Sequence, residues 1–228
     1  MSTTTQKHTV AAEPAALPGP AAAARRIRIV EVAMQYFAEL GYEGTRIDDM
    51  ARELGISKAS VFQQFGSKRN LFMAAYQKAT DSMQAYLDVP PELREEGFFA
   101  TLRWWLEQTE QRARAEWIAW QVMLVGNYGT DMDLRMEISR YLTARDPWKT
   151  EAFVRWGVGR GEVRDDLDPL LISSSMDWMV ERFQDVLMNE ELHPLLFGRP
   201  MKPARRTQAR IEQFMKMIHG AFAARKAC

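Results

Sequence analysis

Cysteine is almost missing from this sequence: the 228 residues contain one, Cys228, at the last position. With no partner in the chain it excludes a disulfide framework, a cysteine-based metal site and a cysteine dyad, and it fits a reducing compartment. Histidine is scarce as well. His8, His193 and His219 have no metal-ligating neighbour at helical spacing. A phosphate-binding loop, a nucleophile elbow and a dinucleotide fingerprint are all lacking, so no catalytic residue, metal or cofactor is assigned and the chain is not expected to be an enzyme. No apolar run approaches the ~20 residues of a membrane span. The N-terminus lacks the basic-then-apolar layout of a signal peptide, and a cytoplasmic protein is expected. Nor does one sign of charge dominate, with 30 basic and 30 acidic residues.

What is present is the balance of an ordinary globular protein, 46% hydrophobic and 26% charged. The charge is unevenly spread. Residues 73–201 are acidic, 202–228 are basic, and Ser57 to Leu71 holds three cations and no acid. Another three cations, Arg25, Arg26 and Arg28, stand just before the first helical pattern. Residues 1–24, rich in Thr, Ala and Pro, carry too little apolar surface to offset ordering entropy and are expected to be a disordered tail.

From Arg25 onward the spacing is helical and never alternates as a strand does. Ile27, Val30, Met34 and Phe37 mark one helix face, which Gly41 stops. Ile47, Met50, Ala51 and Leu54 mark a second helix, with Thr45 placed to cap it. After Gly55, Ser57 caps a short third helix, and Ser67 caps a fourth with Leu71, Ala75, Ala79, Met83 and Leu87 on one face. Beyond Pro90-Pro91, helical segments cover 97–126, 131–158, 168–191 and 203–225. Gly161 sits where a helix end would be, and Asp168-Pro169 reads as a cap followed by a first-turn proline. The expected fold is all-α, with a small head at 25–72 and a larger helical body at 73–228.

Two short helices joined by a glycine turn, the second entered through a capping serine, describe a helix-turn-helix. Its second helix, from Ser57 to Gln64, can lie in a major groove while the first braces it. At least two of Val61, Phe62 and Phe65 must pack inward, which leaves Lys58, Ser60 and Gln63 or Gln64 outward. Gln can pair with an adenine edge and Ser with several bases.

The run from Tyr36 to Ile47 (YFAELGYEGTRI), continuing through Asp48 to Lys68 and Asn70-Leu71-Phe72, resembles TetR-family transcriptional regulators over about 48 residues without a gap. Gly161 to Pro169 is similar to a stretch of the same family's regulatory domain. The resemblance implies a homodimer that reads a palindromic duplex operator and responds to a small effector, most often as a repressor. It implies that Thr45 meets a phosphate at a helix start, a natural anion site, and that Lys68 meets another. Ser57, Lys58, Ala59, Ser60, Gln63 and Gln64 then form the reading surface, with Arg28 and Arg46 beside it. Phe62 departs from the family, which usually has a tyrosine there donating its hydroxyl to a phosphate.

All seven tryptophans lie in the body, with many of the 14 methionines. Such stripes build cores, and methionine also lines adaptable pockets. The resemblance implies an effector cavity among these helices. Trp117, Trp120, Met123, Tyr128, Phe153 and Trp156 are the expected lining, for an apolar or aromatic ligand. The resemblance also makes 168–191 and 203–225 the dimer contact. The alternative carried here is a helical small-molecule-binding or scaffold protein without DNA binding, favoured by Phe62 and the neutral total charge. A weaker third is an all-α enzyme using the body cavity.

Overall fold

The structure is a computed structural model that describes residues 19–84, 89–145, 149–197 and 203–225. Helix α1 (Pro20–Gly44) opens on a first-turn proline, so 20–24 are helical where a disordered tail is expected, and residues 1–18 lie outside the described residues. Its inward face is Ile29, Val30, Ala33, Met34 and Phe37. Ile27 is instead 54% exposed. The arginines on either side of Ile27 leave its apolar neighbour Ile29 to take the inward turn. Gly41 ends the regular helix at φ 70°, a left-handed conformation costly for any residue with a Cβ.

Helices α2 (Ile47–Glu53) and α3 (Lys58–Phe65) form the pair expected after it. Helix α4 (Lys68–Gln84) follows, opened by Ser67 Oγ accepting from the Asn70 amide at 3.0 Å. Leu71, Ala75, Ala79 and Met83 are buried as expected, and Leu87 lies outside the described residues. The change from head to body expected at residue 72 therefore falls inside an unbroken helix.

In the body, Pro91 starts a short helix, α5 (Pro91–Glu96). The expected 97–126 segment is two helices, α6 (Phe98–Ala115) and α7 (Trp117–Tyr128), broken at Glu116, where φ is −108° and ψ 48°. The 131–158 segment is likewise two, α8 (Met132–Arg145) and α9 (Thr150–Gly159). Gly161 does follow a helix end with positive φ. Asp168 caps α10 (Pro169–Met188) by accepting from the Leu170 amide. A 3₁₀ turn at Glu190–Leu192, α11 (Pro194–Phe197) and α12 (Pro203–Phe222) complete the chain. Among the described residues the only extended pairing is a single bridge between Val163 and Ala223.

Apolar burial, the main source of stability, is organised in two large clusters. One joins α1 to α4 with α7 and α8, running from Phe37, Met50 and Val61 through Tyr76 to Val122 and Ile138. The other joins α6, α9, α10 and α12 around Phe98, Ile172 and Phe214. Helices α1 and α4 of the head both pack on α7 in the body, and α4 runs on beyond the head. Tyr76 is fully buried against α7. A Cβ on Gly126 would stand 2.7 Å from its ring, so only glycine admits that approach.

Candidate nucleic-acid interface

The geometry of the site starts at the turn. Gly55 takes φ 65°, and the Ile56 amide donates to the Ala51 carbonyl at 3.0 Å, turning the chain out of α2. Ser57 then caps α3, its hydroxyl oxygen accepting from the Ser60 amide at 3.1 Å. Val61 and Phe65 are buried and Phe62 is half-buried, so the inward set is the expected one. Lys58, Ala59 and Gln63 are exposed, and Ser60 and Gln64 are half-buried. The Ser57 and Ser60 hydroxyls are 2.9 Å apart.

The expected role of Thr45 needs correction. It does not cap α2: Arg46 occupies that position, exposed and with extended backbone. Thr45 is 2% exposed, and its hydroxyl donates to the carbonyls of Tyr36 at 3.0 Å and Gly41 at 2.8 Å. Its amide is also bonded, to the Gly41 carbonyl. The side chain thus secures the exit of α1. Arg46 is the residue that faces solvent where α2 begins.

Lys68 stands beside that start. Its ammonium donates to the Glu43 carbonyl at 3.3 Å and lies 4.8 Å from the centre of the Tyr42 ring. Partial burial lowers its pKa, and the charge of Glu43 opposes the shift. Lys58 Nζ pairs with Asp48 Oδ2 at 2.8 Å, so an acid of α2 partly neutralises a cation on the exposed face of α3. Arg28 is exposed on α1.

Four of the six expected cavity residues are brought together, in two separate pairs. Trp120 and Met123 pack with Met83, Ala113, Leu124 and Met188. Phe153 and Trp156 belong to the other cluster, with Phe153 stacked 4.3 Å from Phe98 and 5.6 Å from Trp156. Trp117 and Tyr128 are exposed. The indole nitrogen of Trp120 is buried and has no hydrogen-bond partner among the described residues. Tyr128 also borders a largely apolar groove of about 430 Å³ beneath the head, between Leu40, Leu134 and Leu192.

Sequence reasoning missed a polar connection across the body. Tyr76 on α4 donates to Asn127 Oδ1 at 2.8 Å, and Asn127 Nδ2 donates to Glu181 Oε1 on α10 at 2.7 Å. Next to it the Tyr128 hydroxyl donates to Asp185. Glu181 touches solvent yet is surrounded by protein. Burial, then the charges of Asp185 and Asp177, push its pKa up to about 7. Burial also raises Asp185 to about 6, opposed by the Tyr128 hydroxyl and Arg182. Carboxyls in such surroundings occur at functional sites and in structural networks alike. The one signal in the sequence was the four-residue spacing of Asp177, Glu181 and Asp185 on one side of a helix.

Among the described residues no helix is long and apolar enough to cross a membrane. Residues 29–75 match the family described as bacterial regulatory proteins, tetR family. The transcriptional repressor AcnR of Corynebacterium efficiens is 25% identical over 175 residues, 75% of this chain and 88% of that protein. The biofilm operon negative regulator IcaR of Staphylococcus aureus is 40% identical over 45 residues, 20% of this chain and 24% of its own. In fold, the chain is similar to a TetR transcriptional regulator from Chloroflexus aurantiacus. The TM-score is 0.64 at 19% identity, covering 89% of this chain and 98% of that one. The head at 29–75 is thus that of the tetR family of bacterial regulatory proteins, and the chain as a whole shares the fold of a regulator so named.

Proposed function

We propose that the protein is a cytoplasmic, homodimeric repressor whose two heads read a palindromic operator and are released by a small effector held in the body. The observation that carries the reading is the face of α3. It presents Lys58, Ala59 and Gln63 to solvent over buried Val61 and Phe65, with Lys68 and Arg46 flanking it. Side chains of this kind read base edges, and the flanking cations meet phosphates.

The dimer reading is supported by α10 and α12. Trp178 is 67% exposed, Leu170 and Leu171 54%, and Met217 50%. A groove of about 520 Å³ runs between the two helices past the stacked Phe183 and Phe214 rings. An apolar face of this kind marks an interaction surface, and a second copy is the occupant that a two-fold operator requires. Repression is the role carried in the names of AcnR and IcaR.

The test is selection of bound sequences from random duplex DNA by the purified protein. Enrichment of an inverted repeat with half-sites about 34–36 Å apart is the expected result. A pool that stays random would favour the ligand-binding alternative without DNA recognition. The effector is sought by titrating candidates with and without operator while following tryptophan fluorescence. A true effector binds less tightly when operator is present, by the factor with which it weakens DNA binding.

A further inference from the structure

Helix α3 is eight residues long and cannot hold its shape alone. Its last four carbonyls have no partner within the helix, yet three of them are bonded. The Gly66 amide donates to the Phe62 carbonyl at 2.7 Å, and Asn70 Nδ2 of α4 donates to the Phe65 carbonyl at 2.8 Å. The third bond crosses from α1: Arg26 Nη1 donates to the Gln64 carbonyl at 2.9 Å, from 38 positions away in sequence. The Arg26 guanidinium also lies 4.2 Å over the ring of Phe65, the buried residue that seats the end of α3. Arg26 precedes the family match at 29–75 and stands on turns of α1 that lie outside it.

We propose that Arg26 is a positioning residue for base readout: it closes the carbonyl end of α3 from α1 and so holds Gln63 and Gln64 in register with the bases. The inference rests on α3 being the reading helix. A cation at a helix C-terminus is favoured by the dipole and satisfies a carbonyl at once. A guanidinium over an aromatic face adds attraction and fixes orientation. Both contacts act on the turn that carries the two glutamines. Without them that turn frays and loses base discrimination, while Lys58 and Lys68 keep their places.

The rival role is a direct phosphate contact, because most donors of the guanidinium fork remain available. The two roles separate in one experiment. Full-length protein and its Arg26→Ala and Arg26→Lys variants are titrated with the selected operator and a scrambled duplex across a salt series, and each protein is melted alone. For Arg26→Ala the expected result is about a five-fold loss of operator-over-scrambled selectivity, the size of a lost helix-end interaction. The salt slope on scrambled DNA should be unchanged. Arg26→Lys, which can still donate to the carbonyl, recovers most of the selectivity. Equal losses on both duplexes, with a slope shallower by about one, would make Arg26 a phosphate contact and overturn the proposal. A lower melting temperature with unchanged selectivity would overturn it too. Should Arg26→Ala fail to fold, Arg26→Met, which keeps the apolar stem but has no donor, replaces it with the same readout. A wild-type protein that enriches no duplex at all would instead remove the reading helix on which the inference rests.

Discussion

Arg69 at the start of α4 pairs with Asp131 just ahead of α8, Nη2 to Oδ2 at 3.2 Å, joining head to body between residues 62 positions apart. Asp131 also accepts from the Leu134 amide, and that bond, ahead of the arginine charge, holds its carboxyl below the usual range. A double-mutant cycle with Arg69→Ala and Asp131→Ala, read by denaturant unfolding, is expected to show a small favourable coupling, as for a solvent-screened pair. The Asp131→Ala single variant should lose more than Arg69→Ala, because it also removes the helix cap.

Lys68→Ala should weaken binding to every duplex alike and flatten the salt dependence by roughly one unit. Gln63→Ala should instead cost about 1–3 kcal/mol on the operator and relax preference at one base pair. Binding isotherms on operator and single-base variants check both. Sequence-dependent loss for Lys68→Ala would remove it from the phosphate-anchoring role.

The Lys58–Asp48 pair ties the exposed face of α3, the proposed reading surface, to α2. Asp48→Asn is expected to free the ammonium and remove a charge that repels phosphate. Affinity for scrambled DNA should rise, by about three-fold at low salt, and the gain should shrink as salt increases. Unchanged affinity would mean that Lys58 does not face the DNA.

Glu181 and Asp185 give the body a pH dependence. A carboxyl raised in the fold binds its proton more tightly there than in the unfolded chain. Its stabilising contribution is therefore complete below about pH 4 and is lost as pH climbs through about 6 for Asp185 and 7 for Glu181. Asp131 and Asp166, held low by their partners, run in the opposite sense in acid. Comparing Glu181→Gln with wild type isolates the first effect. The variant's melting temperature should gain on the wild type steadily from pH 5 to pH 8, and a constant difference would contradict the assignment.

Gly126→Ala would drive a methyl group into the Tyr76 ring and Ile138. Overpacking of this kind costs about 1–3 kcal/mol. Thermal unfolding should show the loss, and Tyr76→Leu in the same chain should recover part of it.

The features that could be read in the sequence are local ones. Ser57, Ser67 and Asp168 cap the helices they precede, because a cap is set by residues within one turn. Gly41 and Gly161 adopt positive φ, as their places at helix ends require. Local pattern misled where two solutions share a spacing. Ile27 and Ile29 both alternate with arginines, and only the packing of α1 against α4 and α7 decides which turns inward. The break at Glu116 carries no glycine or proline, so nothing in the pattern announces it. Thr45 stands where a cap for α2 is expected, but its hydroxyl is taken by two carbonyls of α1. The tryptophan-rich body showed what kind of side chain lines it without showing which of them meet. The bonds that link the parts, Arg26 to Gln64 and Asn127 to Glu181, span 38 and 54 positions and leave no trace in a single sequence.

Helix α4 is 17 residues long, a stiff rod of roughly 25 Å. Near its middle Tyr76 is wedged on Gly126 and hydrogen-bonded to Asn127, while its first residue, Lys68, grips the exit of α1. The body therefore holds the rod at its middle through Tyr76 and again near its head end through Arg69 and Asp131, so a shift in the body is passed to the head along both. A tilt of about 5° about Tyr76 would displace the Lys68 end by roughly 1 Å, from the same rise per residue. Two heads moving apart in a symmetric pair double that displacement. Half-sites on B-DNA are spaced by whole helical turns and do not follow such a change. In the proposed dimer, a body-bound effector that tilts this rod would act on both heads without touching either.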